Sequence, residues 1–177
     1  PIIAYYDASN KQLKLIVCRN VSCDDRGGSI NDGSIGMGDP GPSIDVNLNG
    51  FFNVTQPLLL PMISTRWGRI VNISSVAGVL GNRGQVNYAA AKAALHGASK
   101  SLAIELGSRG ITVNVVAPGI IAGEMAKNSF TEEQIKSLVP LKRAGLPDEV
   151  AAVVRFLCSN EASYVSGQII GVNGAMA

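Results

Sequence analysis

The 177-residue chain has one histidine, three cysteines and 16% charged residues. A lone histidine with no cluster of cysteines or acids around it offers no metal-ligand set, so no metal site is expected. Three cysteines are too few for a disulfide framework. Cys158 lies in a helical pattern as a small core residue, and Cys18 and Cys23 would pair only in an oxidised hairpin; a reducing, cytoplasmic setting is the expectation. A formal net charge of +2 with no basic run argues against a nucleic-acid partner. No apolar run reaches membrane-spanning length, and Phe51 to Ile63 is interrupted by Asn53, Gln56, Pro57 and Pro61, so no membrane partner is expected. Pro1 carries neither an initiator Met nor a signal peptide, which places the expected natural N-terminus upstream.

What is present is enough apolar residue, 46%, to bury a core within one domain of ordinary size. The chain nevertheless changes character near Ser43-Ile44. Pro1 to Tyr6 and Gln12 to Cys18 read as two strands around Asp7 to Lys11, a β-hairpin. Residues 24 to 43 hold six glycines with Pro40 and Pro42, the composition of a linker. Gly36 to Gly41 matches G-x-G-x-x-G literally, but no apolar strand feeds it and Pro40 sits inside it, so the linker reading stands. From residue 44 the pattern alternates helix and strand, which predicts βαβ units and a parallel sheet. A helix over Ile44 to Thr65, distorted at Pro57 and Pro61, leads into a β-branched run, Gly68 to Ser75. A helix over Val86 to Ser108, with a small-residue stripe at Ala90, Ala93, Ala94 and Gly97, precedes a second buried strand, Gly110 to Ala117. Thr131 opens a capping box, Pro147 starts a helix, and Gln168 to Val172 is the last strand.

The chemistry concentrates at Tyr88 and Lys92. Four residues apart on one helix, they share a face about one turn apart. A phenol, with its ordinary pKa of ~10, donates a proton poorly at neutral pH unless a neighbouring cation stabilises the phenolate. Lys92 is placed to be that cation. Ser75 falls at the C-terminal end of one strand and Pro118-Gly119 at the end of the next, where ligands collect in open α/β sheets.

These motifs resemble the short-chain dehydrogenase/reductase family, and within it the 3-oxoacyl-acyl-carrier-protein reductases. The resemblance is carried by Asp45 to Gly50, Arg69 to Gly78, Gly81 to Tyr88, Ile111 to Gly119 and Ser166 to Gly174, and covers about residues 44 to 177. It implies a Rossmann-like parallel sheet and a catalytic tetrad of Asn47, Ser75, Tyr88 and Lys92. It further implies hydride transfer between NADP(H) or NAD(H) and a carbonyl of a small-molecule or acyl-thioester substrate. Tyr88 would protonate the developing alkoxide, Ser75 would donate to the same oxygen, and Lys92 would lower the tyrosine pKa and hold the nicotinamide ribose. Asn47 would anchor a water leading from Lys92 to solvent. Pro118, Gly119 and Ile121, with Tyr88 and Lys92, would contact the cofactor. Helices 44–65 and 86–108 would pair across a homo-oligomer.

The sequence departs from that pattern in two places. No T-G-x-x-x-G-x-G turn and no N-N-A-G strand precede Asn47, so residues 44–177 read as a truncated catalytic half behind an unrelated segment, 1–43. Gly123 stands where the family usually has a cofactor-contacting Thr. Two other readings therefore accompany the reductase. One is a cofactor-independent, esterase-like hydrolase using Ser75 with Tyr88 and Lys92 as its base. The other is a non-catalytic fragment that oligomerises. His96, two turns past Tyr88, is expected to be structural, bordering the pocket or a contact between copies.

Overall fold

A computed structural model describes the backbone of residues 2–7, 12–17 and 44–177, and side chains from residue 48 onward except that of Met125. The hairpin turn, Cys18, Cys23 and the Gly/Pro-rich linker with its Gly36–Gly41 match lie outside the described residues.

β1 (Ile2–Asp7) and β2 (Gln12–Val17) pair antiparallel, with Ile2 opposite Val17 and Asp7 opposite Gln12, as the hairpin pattern predicts. After α1 (Ile44–Thr65) comes β3 (Gly68–Ile73), followed by α2 (Ala77–Leu80) and α3 (Val86–Leu106). A short 3₁₀ turn, Gly107–Arg109, then leads into β4 (Ile111–Pro118). The rest is α4 (Glu124–Ser129), α5 (Glu132–Leu138), α6 (Pro147–Cys158) and β5 (Ile169–Val172). The strand order is β2-β1-β3-β4-β5, and β3, β4 and β5 run parallel. This is the Rossmann-like α/β sheet that the motif order implies.

One pairing was not legible in the sequence. β1 lies parallel to β3, with Ile2, Ile3 and Ala4 opposite Ile70, Val71 and Asn72. The edge of β3 that would otherwise expose unpaired backbone groups is thus covered by the N-terminal hairpin.

The pleat of β3 and β4 sorts the core onto two faces. Ile70, Ile111 and Val113 meet Met62 of α1 and Ala103 and Leu106 of α3. On the other face Val71 and Val116 meet Val154 and Leu157 of α6. Val71, Val113, Val115 and Val116 are fully buried, each contributing about 1.5–3 kcal/mol.

The chain enters β4 through Gly110, whose φ of 71° is left-handed and whose missing Cβ would strike the Arg66 carbonyl. The Thr131 side chain and Gln134 cap α5 reciprocally as predicted. The small-residue stripe of α3 is not its sheet-facing side. Ala90, Ala93 and Gly97 are exposed, while Ala91, Leu95, Ser99, Ala103 and Leu106 form the packed face. Alanine and glycine suit either environment, so small size alone does not decide which stripe meets the sheet.

Candidate active site

The site is assembled by the chain leaving β3. The Ser74 amide donates to the Val116 carbonyl at 2.8 Å, and the Val76 amide to the Pro118 carbonyl at 2.8 Å. These two bonds extend the β3–β4 ladder past the last strand residue and hold Ser75 beside Pro118-Gly119. Two of the predicted site segments therefore meet through backbone geometry alone. The Ser75 Oγ accepts from the Ala77 amide at 3.2 Å, which turns the chain into α2.

Tyr88 and Lys92 project from the first turns of α3. The Lys92 Nζ stands 5.9 Å from the centroid of the Tyr88 ring, the one-turn separation that their spacing predicts. Lys92 is 7% exposed, and its ammonium donates to the Ile73 carbonyl at 3.1 Å. Ile73 ends β3, two residues before Ser75, so the lysine head reaches the strand end that carries the serine. Burial pushes the Lys92 ammonium below the ordinary lysine value. Tyr88 is half-buried, which leaves part of the ring facing outward.

α2 supports this arrangement by close approach. A Cβ on Gly78 would lie 2.9 Å from the Lys92 carbonyl carbon and Cβ, so only glycine lets the turn rest on α3 at that level. Asn47 falls on the first turn of α1, but its side chain lies outside the described residues. The loop after β4 is held at both ends. The Gly119 amide donates to Val172 at 3.0 Å, and Ile121 bridges to Gly145 while Ala122 donates to Gly145 at 2.8 Å. Gly123 has an extended backbone, φ 165°, and open space where a side chain would stand. The family's threonine would fit there, so the departure removes a hydroxyl without answering a steric demand.

Sequence reasoning left one pair of side chains unjoined. The His96 Nε2 lies 2.7 Å from the Ser74 Oγ, and that hydroxyl is 3.0 Å from the Lys92 carbonyl oxygen. His96 thus borders the site through Ser74, one of the two places the sequence reading allowed. The spacing of 88, 92 and 96, three positions one turn apart, was the available signal. Burial, and after it the charge of Lys100, holds His96 below the ordinary histidine value. Nearby, Asn72 donates to Ser99 at 2.8 Å and ties α3 to β3 one turn further along.

A separate groove of about 280 Å³ opens beside the loop that follows β4. Ile120, Val139, Leu141, Gly145, Val172 and Gly174 line it, and Ser75, Tyr88 and Lys92 do not. At its rim Arg143 and Glu149 form a bidentate pair at 2.6 and 2.8 Å, and these hydrogen bonds lower the Glu149 carboxyl to about 2. Among the described residues no group of three or more His, Cys, Asp or Glu could hold a metal ion.

A family model described as Enoyl-(Acyl carrier protein) reductase matches residues 41–176. The 3-oxoacyl-[acyl-carrier-protein] reductase FabG of Aquifex aeolicus (strain VF5) is 54% identical over 135 residues, 75% of this chain and 54% of that protein. The enzyme of the same name from Aggregatibacter actinomycetemcomitans is 50% identical over 131 residues, 73% of this chain and 54% of that protein. Nodulation protein G of Rhizobium sp. (strain N33) is 51% identical over 136 residues, 76% of this chain and 56% of that protein. The chain spans about half the length of the curated relatives it matches. The match runs over the segment that holds Ser75, Tyr88, Lys92 and Pro118-Gly119, and the chain belongs to the short-chain dehydrogenase/reductase family, as a FabG-like segment of it.

Proposed function

We propose that residues 44–177 are the catalytic half of an NAD(P)H-dependent carbonyl reductase acting on 3-oxoacyl thioesters, with residues 1–43 an appended segment. The observation that carries this reading is the convergence of Lys92, Tyr88 and Ser75 on the C-terminal end of β3, beside Pro118-Gly119. A hydroxyl, a phenol and an ammonium around open strand ends form a donor set that suits a carbonyl oxygen and the ribose of a nicotinamide. The cofactor, when bound, supplies the hydride.

The chain's own residues do the rest. Ser75 donates to the carbonyl oxygen, since its contact with the Ala77 amide uses a lone pair and leaves the hydroxyl proton available. Tyr88 delivers a proton to that oxygen as negative charge develops, and the Lys92 ammonium stabilises the phenolate left behind. Lys92 donates one N–H to Ile73 and would offer the others to the ribose hydroxyls of the cofactor. By the family resemblance Asn47 would anchor a water leading from Lys92 to solvent, and Pro118, Gly119 and Ile121 would contact the nicotinamide. The hydrolase alternative is less well supported: it requires a base at Ser75 Oγ, and the hydrogen bond at that oxygen comes from an amide donor.

A partner copy would cover the outer faces of helices 44–65 and 86–108, where Phe52, Leu60, Val86 and Ile104 are 56, 76, 78 and 84% exposed. The experiment is reduction of an acetoacetyl thioester by NADPH or NADH with the purified chain and with Tyr88→Phe. Reduction that falls by roughly 10²–10⁴ in the variant supports the assignment. Equal rates in both would remove Tyr88 from the chemistry.

A further inference from the structure

Ser74, 4% exposed, stands between Ile73, which receives the Lys92 ammonium, and Ser75. Its Oγ touches two groups, the Lys92 carbonyl at 3.0 Å and the His96 Nε2 at 2.7 Å. A carbonyl can only accept, and a hydroxyl has one proton to give. Both contacts are hydrogen bonds at once only if Ser74 donates to Lys92 and the His96 Nε2–H donates to Ser74. The other neutral tautomer would set two acceptors against one proton. Lys92 is then fastened twice to consecutive residues of one strand end, by its head to Ile73 and by its backbone to Ser74.

We propose that Ser74 and His96 are a positioning pair for Lys92. A one-way chain from the His96 Nε2–H through the Ser74 hydroxyl to the Lys92 carbonyl pins α3 against the end of β3. The consequence for catalysis rests on the reductase reading above; the geometry does not. Among the described residues the charged groups near His96 lie on its own helix: Lys92 one turn before, Lys100 one turn after, and the ionisable Tyr88 two turns before. β3 and the residue that follows it present Ile70, Asn72 and Ser74 on this face, and neither α2 nor residues 48–65 of α1 carry a titratable side chain. Charging His96 would keep its Nε2–H but add a third cation to the Lys92–Lys100 row. Burial first, and the charge of Lys100 after it, oppose that protonation and hold His96 below the ordinary histidine value. The unfolded chain takes the proton first, so this contribution to stability is lost as pH falls below about 6.5.

The test is nitrogen-15 NMR of the full chain, reading the His96 tautomer and the titration of the Lys92 side chain. The pair predicts the Nε2–H tautomer. It also predicts that Ser74→Ala and His96→Leu move the Lys92 titration toward the ordinary lysine value. His96→Gln, whose amide can still donate, should leave that titration close to the native one. An Nδ1–H tautomer in the native chain, or a Lys92 titration identical in His96→Leu, would overturn the proposal. Where reduction is measurable, His96→Leu should lower kcat about tenfold or more with little change in thioester KM, and His96→Gln should restore it. Equal kcat in His96→Leu and the native chain would contradict the role. If the NMR results hold while no reduction occurs in the native chain, the positioning pair stands and the reductase reading fails.

Discussion

Lys92 is the residue on which the site turns, because it is a buried cation with a carbonyl and an aromatic ring for company and, among the described residues, no carboxylate partner. Its lowered pKa has a thermodynamic consequence. Between the folded value and the ordinary 10.5, the unfolded chain binds more protons than the folded one, so stability rises with pH through that window. Below it the penalty for the buried charge is fully present. Lys92→Met, which keeps the apolar stem and removes the charge, should flatten this dependence in denaturant titrations between pH 7 and 10, leave the fold at least as stable at pH 7, and abolish reduction. A variant that loses stability at pH 7 would mean that the ammonium is a net stabiliser. The Tyr88–Lys92 pair was legible in the sequence because a spacing of four fixes a shared helical face. The lysine's bond to Ile73 was not, since it depends on how close α3 comes to the end of β3.

At the level of elements, that approach is set by Gly78. Between β3 and α3 the sequence holds Gly78, Gly81 and Gly84, but which glycine is indispensable depends on a contact the sequence does not contain. A methyl at position 78 would meet the Lys92 carbonyl carbon and Cβ at 2.9 Å and the Ala93 nitrogen at 3.0 Å, none of which can swing aside without moving the helix. Gly78→Ala should therefore displace α2 or the start of α3, costing about 1–3 kcal/mol in urea unfolding and reducing activity more than Gly97→Ala, where nothing lies within 4 Å. Equal effects from the two substitutions would show that the turn does not rest on α3. The strands and long helices were readable because β-branched runs, caps and proline starts are local signals, as Thr131 and Pro147 illustrate. The orientation of α3 was not: its alanines are scattered around the helix, and only packing against Met62, Ile70 and Val113 selects the Ala103–Leu106 side.

For the whole molecule, the sheet is parallel from β1 through β5, with the hairpin strand β2 closing one side. The pairing of β1 with β3 could not be read from sequence, because pairing partners across an intervening helix carry no local mark. The faces left open by α1 and α3 carry Phe52, Leu60 and Ile104. If a second copy covers them, Ile104→Glu should shift the sedimentation of the chain toward monomer without altering its circular dichroism; unchanged sedimentation would place any association elsewhere. In the proposed function this chain holds the nicotinamide end of a reductase site, while its sequence has no T-G-x-x-x-G-x-G turn for the dinucleotide phosphates. The most direct measurement is a parallel NMR titration with reduced nicotinamide mononucleotide and with NADPH. The account predicts that both perturb Ser75, Tyr88 and Lys92 with similar affinity, because only the shared nicotinamide ribose is gripped. No perturbation of these three residues by either ligand at about 10 mM, an affinity floor near −3 kcal/mol, would contradict it.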